Sequence, residues 1–395
     1  MLGGQSPSPF GNQSRQAPSP FGQQPSPSPS PFGQPPQQHQ PQQQPQQQAQ
    51  QGPSDNPNND AKLQPDIPDS VSSLAFSPRT DAWALLSSCW DGKARVHTIN
   101  PDGSSAQNFQ LDHPQPLLCA DWHSSGSSIF AGCADKSVMM WDLNTQQSSQ
   151  VAQHQAPVKC LAWLPQLQNG CLVTAGWDEQ LHFWDTRQQS PVHTIPLEER
   201  AYALTTVHPL LAVGTADRSI KLFDLRSPQQ PQSTFASPLR HQTRCMAAFP
   251  DATGILIGSI EGRVAVHHAD ASRKSQNFTF KCHREREGNE VHQLNDIKFH
   301  PTEGTFATCG SDGTVTFWDK NNKQKLRQMY KCQTSISATS YSQDGKLFAY
   351  AASYDWHEGS EGAAKASNQK PTIFLHQLTP EETQQKPGKQ QQQRR

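Results

Sequence analysis

One arithmetic regularity limits what this chain can become. At six places an acidic residue after a small or apolar run precedes a Trp, Phe or His by six positions: Asp91 to His97, Asp135 to Trp141, Asp178 to Trp184, Asp217 to Phe223, Glu261 to His267 and Asp312 to Trp318. Asp355 starts a seventh unit, interrupted by a polar insertion around residues 358–370 before an apolar run resumes at 372–375. Successive anchors lie 44, 43, 39, 44, 51 and 43 residues apart. A repeat of that length is one supersecondary unit, too small to bury its own apolar face, so neighbours must stack on it.

Inside each unit the apolar runs are short. In the third, residues 158–163, 171–175 and 181–184 are separated by Gln168-Asn169-Gly170 and the Asp178-Glu179 turn. Such lengths suit strands rather than helices, and no run keeps a 3.6-residue period. The period and the acidic turns resemble WD repeats. The expected fold is all-β: a seven-bladed WD40 β-propeller over residues 61–379, with disordered tails at 1–60 and 380–395. The ring has to close, because an open four-stranded blade would leave a bare edge. Residues 61–69 are expected to supply the outer strand of the last blade.

The first 60 residues differ in kind. They hold 14 of the 33 prolines, and 12 of the 18 residues from 34 to 51 are glutamine. Too little apolar side chain is present to offset the entropy of ordering. Ser-Pro-Phe-Gly occurs three times here, ending at Gly11, Gly22 and Gly33, and resembles the FG segments of nuclear pore proteins. The formal net charge of −1 gives little support to general DNA wrapping, which needs many surplus cations. No run is long and apolar enough to span a bilayer, so no membrane insertion is expected. Nine cysteines stand singly without a C-x-x-C pair, which reads as reduced core cysteine and not as a zinc site. No cofactor and no metal is expected.

The resemblance to WD repeats implies a buried hydrogen-bonded chain running from a His through a Ser or Thr and the turn Asp to a Trp. His154, Thr174, Asp178 and Trp184 form one such set, and His292, Thr308, Asp312 and Trp318 a second. Burial of such groups is tolerable when they satisfy one another, so they are read as fold determinants rather than catalysts. The chain has no phosphate-binding glycine loop, no G-x-S-x-G elbow and no His cluster at ligand spacing, so no enzyme is expected.

Several stretches go beyond a generic repeat: residues 258–267 with Glu261-Gly262-Arg263-Val264-Ala265-Val266-His267, residues 277–284, Ile297-Lys298-Phe299-His300-Pro301, residues 153–159 and Ser353-Tyr354-Asp355-Trp356. They resemble the nuclear-pore-associated mRNA export factor family, which is related to the mitotic checkpoint WD-repeat protein. The resemblance covers residues 71–378. It implies a non-enzymatic scaffold, a single propeller working within a complex at the nuclear pore rim, with some cytoplasmic presence. The implied partners are the GLEBS segment of an FG nucleoporin and messenger ribonucleoprotein, or RNA directly. The alternative it leaves open is a kinetochore adaptor for GLEBS-type motifs of checkpoint kinases. By the same resemblance Arg263 receives a glutamate of that segment, and Phe280, Trp318, Asp319, Lys320 and Lys323 form a face for nucleic acid or its mimics.

Overall fold

The computed structural model describes residues 56–167, 170–285 and 290–386. The Phe-Gly motifs lie outside these. Among the described residues the chain forms seven four-stranded antiparallel sheets. Six are contiguous in sequence, covering residues 71–112, 117–153, 158–196, 201–236, 243–281 and 294–328. These are blades one to six. Blade seven takes Ile336–Tyr341, Leu347–Ala352 and Thr372–Gln377 from the C-terminal part and Ala61–Lys62 as its outer strand, with Ala61 opposite Leu375 and Lys62 opposite Phe374. The ring is thus closed by strand pairing across some 300 residues of sequence, and Leu63 and Ile67 are buried just beyond it.

Seven apolar clusters hold the blades together, one at each junction. Strand Cys171–Gly176 shows how one sequence serves two junctions. Leu172 packs with Trp184 toward blade two, while Val173 and Ala175 pack with Phe183 toward blade four. Alternate residues face opposite sides of a sheet, so a strand covered on both faces reads as a continuous apolar run. Each such fully buried side chain contributes roughly 1.5–3 kcal/mol. Side-chain oxygens tie neighbouring inner strands: Asp121 accepts from the Trp163 N–H (3.0 Å), Asp296 from Thr339 (3.0 Å), Thr205 from Ala248 (2.8 Å) and Ser340 from Phe76 (3.0 Å).

The C-terminal boundary differs from the expected one. Residues 380–386 are packed structure, not tail: Pro380–Thr383 is a helical turn, and Glu382 is 1% exposed. Thr379-Pro380-Glu381-Glu382 places a capping residue three positions before a Glu, with Pro at the first helical position, which starts a helix. All nine cysteines are free, eight of them buried. No described helix is long and apolar enough to cross a membrane.

Candidate functional site

Strand direction divides the ring into two faces. The acidic turns join second to third strands and share an upper face with the connections between blades; the remaining turns form the lower face. On the upper side of blade three, His154 Nδ1 lies 2.9 Å from Asp178, its Nε2 is 2.7 Å from Thr174 Oγ1, and Trp184 Nε1 donates to the same oxygen at 2.7 Å. Asp178 also accepts from the Gln155 N–H. Burial by itself would raise the Asp178 carboxyl, but the hydrogen bonds from His154 and the Gln155 N–H, with the nearby imidazoles, together outweigh it and hold the group below its usual range. Each polar side-chain atom of these four residues has a partner.

Blade six builds the same chain with a different histidine. His283, not His292, meets Asp312 (2.9 Å) and Thr308 (2.9 Å), and Trp318 Nε1 donates to Thr308 at 2.9 Å. His292 lies in the lengthened connection before Leu294, 3.9 Å from Glu290 and 4.0 Å from Glu285. The relay histidine stands within two residues of the end of the outer strand, as His113 and His154 also do, so counting back from the Asp fails when the connection grows. Gly310 and Gly176 make room for it: a Cβ at either would meet imidazole Nδ1 at 3.0 and 2.9 Å.

The residues expected to face nucleic acid separate into three groups. Phe280 lies on the same side of its strand as Phe278, both half-buried, and its ring is 4.8 Å from Trp318 across the junction of blades five and six. Trp318 lines a groove of about 820 Å³ there, with Lys281, Lys325, Tyr330 and Lys331 among its walls. Lys320 and Lys323 extend from the lower turn of blade six, each ammonium 4.5 Å from a ring centroid, of Phe249 and Phe278 respectively. Burial, with Arg273 adding to it, holds the Lys320 ammonium below its ordinary value. Asp319 departs from its expected role. It is 1% exposed, and its carboxylate accepts from the Asn321, Asn322 and Lys386 N–H groups and the Asn322 side chain, so it holds the turn and has no oxygen free for a partner.

Arg263 opens the third strand of blade five directly below the upper turn, opposite Lys281 and about one-third exposed, with Glu261 at 3.5 Å. Every inner strand carries a bulge near its start, and the seven bulged residues, Ser72, Leu118, Lys159, Tyr202, Arg244, Asn295 and Ser337, all line the central channel. A bulge re-aims a side chain out of the pleat. Around the upper mouth, a depression of about 550 Å³ is bordered by Trp90, Trp177 and Trp356 together with Lys159 and Arg244. These tryptophans are 44%, 38% and 55% exposed, and Ile260, on the equivalent turn of blade five, is 40% exposed. Large apolar side chains left in water in such a grouping mark an interaction surface.

Comparison with known proteins decides the family. The model of the WD domain, G-beta repeat, matches residues 64–98, 105–142, 145–185 and 274–319. The chain is 46% identical over 333 residues to Protein RAE1 of Arabidopsis thaliana, covering 84% of this chain and 94% of that protein. It is 40% identical over 325 residues to the Poly(A)+ RNA export protein of Schizosaccharomyces pombe (81% and 91% covered), and 40% identical over 304 residues to the mRNA export factor of Xenopus tropicalis (74% and 83%). The chain belongs to the mRNA export factor family of WD-repeat proteins.

In this member of the export factor family the mouth residues had a signal in the sequence. Trp90, Trp177 and Ile260 each stand immediately before an acidic anchor, where the other blades carry Ala134, Ala216, Ser311 and Tyr354. At Trp90, Trp177 and Ile260 the turn leaves the side chain in water, so these large apolar residues are not core residues.

Proposed function

We propose that this export factor family member is a non-enzymatic scaffold in mRNA export, whose upper face grips an extended GLEBS-type nucleoporin segment while the edge of blades five and six contacts RNA. The observation that carries the reading is the set of exposed Trp90, Trp177 and Trp356 bordering a channel mouth that holds Lys159 and Arg244, with Ile260 exposed on the equivalent turn of blade five. An extended peptide offers alternating apolar side chains to such a rim and carboxylates to its cations. Arg263, accessible on the same side, is suited to a bidentate glutamate contact. The relatives' names as export factors support the cellular process. In the second contact, Trp318 and Phe280 supply stacking surface, and Lys320, Lys323, Lys281 and Lys325 supply charge, the combination that binds single strands.

The test is a titration of immobilised GLEBS peptides, one from a nucleoporin and one from a checkpoint kinase, with wild type, Arg263→Glu and Trp177→Ala. Both substitutions should weaken nucleoporin peptide binding, with a loss of about 2 kcal/mol for Arg263→Glu. Preference for the kinase peptide would favour the kinetochore adaptor instead. A signal at the nuclear rim in interphase cells is the expected location.

A further inference from the structure

The segment after the last strand does more than end the fold. Residues 379–386 run along the lower side of blade six and bond to both of its lower turns. Thr305 Oγ1 donates to the Thr383 carbonyl (2.8 Å), and the Gln385 side-chain amide donates to the Glu303 carbonyl (2.9 Å). The Lys386 N–H donates to Asp319 (3.2 Å), and the Asn322 amide donates both to the Lys386 carbonyl and to Asp319 (2.8 Å each). One end of this segment is locked in the core. Glu382 has no exposed side-chain surface, and it bonds His376 (3.1 Å), Thr379 (2.9 Å) and Arg327 (3.4 Å). His376 in turn bonds Asp60, beside the closing strand (2.7 Å). The turn so braced is the one that carries Lys320 and Lys323.

We propose that residues 379–386 are a strap that positions the Lys320 and Lys323 turn and thereby sets the affinity of that edge for the phosphate backbone of single-stranded RNA. The proposal rests on the RNA reading given above. Asp319, Asn322 and Glu382 are positioning residues in it, because each acts on the lysines through the turn. A lysine held over an aromatic ring by a fixed turn meets a phosphate without first losing backbone freedom, whereas a loosened turn loses that freedom on binding.

The experiment uses the full chain with Glu382→Gln, Asn322→Ala, and the double substitution Lys320→Ala with Lys323→Ala. Labelled oligouridylate binding is measured across a salt series, with amide hydrogen exchange of residues 319–323. Expected are faster exchange and roughly fivefold weaker RNA binding in both strap variants, with the salt slope lowered by about 1, as when one or two phosphate contacts are lost. Glu382→Gln removes a negative charge, so long-range electrostatics alone would tighten RNA binding; weakening separates positioning from field. In the lysine-substituted background Glu382→Gln should add no further loss. Nucleoporin peptide binding on the opposite face should be unchanged. If the lysine variant binds RNA more weakly while both strap variants match wild type, the strap is overturned and the RNA reading stands. If the lysine variant itself binds RNA as wild type does, the RNA reading falls and the proposal with it. Asn322→Ala leaves the buried lock intact, and so tests the strap even should Glu382→Gln unfold.

Discussion

Stability of this propeller should fall with rising pH between about 6.5 and 9, because of one buried histidine. His376 joins Asp60 (2.7 Å) to Glu382 (3.1 Å) with 13% of its side chain exposed. Burial lowers its proton affinity, but the hydrogen bonds to Asp60 and Glu382 more than offset that and raise it from 6.5 to about 9. The folded chain therefore keeps a proton that the unfolded chain has lost over this window. Its contribution is complete below about 6.5 and disappears as pH rises through about 9. At about 1.4 kcal/mol per unit, the shift corresponds to about 3 kcal/mol. Thermal unfolding followed at a series of pH values should show the midpoint dropping by several degrees across the window, at about 2 °C per kcal/mol for a core of this size. His376→Gln should start about 3–5 kcal/mol less stable, since it takes the cation from the buried Asp60 and leaves Glu382 with Arg327 alone, and it should lose most of the slope. A wild type with a flat profile, or a variant as steep as wild type, would refute the assignment of this window to His376.

Three further outcomes follow from the same geometry. Removal of residues 1–55 should leave the melting temperature nearly unchanged, whereas removal through Asp69 takes away the closing strand, Asp60, and the buried Leu63 and Ile67, a loss of roughly 3–6 kcal/mol from the two apolar side chains alone, read by thermal unfolding. In urea unfolding, His283→Ala should destabilise by roughly 2–4 kcal/mol, since it removes the buried imidazole that bonds both Asp312 and Thr308, and His292→Ala by less than about 1 kcal/mol; the reverse order would restore His292 to the relay. On the acid side, His97 and His182 are both pushed down to about 4, chiefly by burial, so stability should also fall as pH drops from about 6.5 toward 4, and His182→Gln should flatten part of that limb in an acid unfolding series.

Blade number was legible in the sequence because the acidic turn is a local device: Asp178 needs only the hairpin around it and a histidine one connection away. Blade three keeps its connection short, and His154 could be picked from spacing. Blade six could not be read that way, because the lengthened loop before Leu294 puts a second histidine, His292, nearer to Asp312 in sequence while His283 is the one that meets it in space. Asp319 accepts three of its four hydrogen bonds from its own turn, but the last comes from Lys386, 67 residues away in sequence. The capping sequence at Thr379 and the large apolar residues before three of the turns were visible signals, but their meaning depended on what lies across from them.

The repeat period by itself determined the stacking of sheets, the alternation of buried residues and the two faces, because strand geometry is set by neighbouring residues along the chain. Ring closure brought together what no local pattern specifies: seven bulged residues around one channel, three tryptophans from three blades at its mouth, and a charge cluster joining Asp60 to His376 and Glu382 across more than 300 residues. Those contacts form only once every blade has stacked, so their energy belongs to the closed ring and not to any repeat within it.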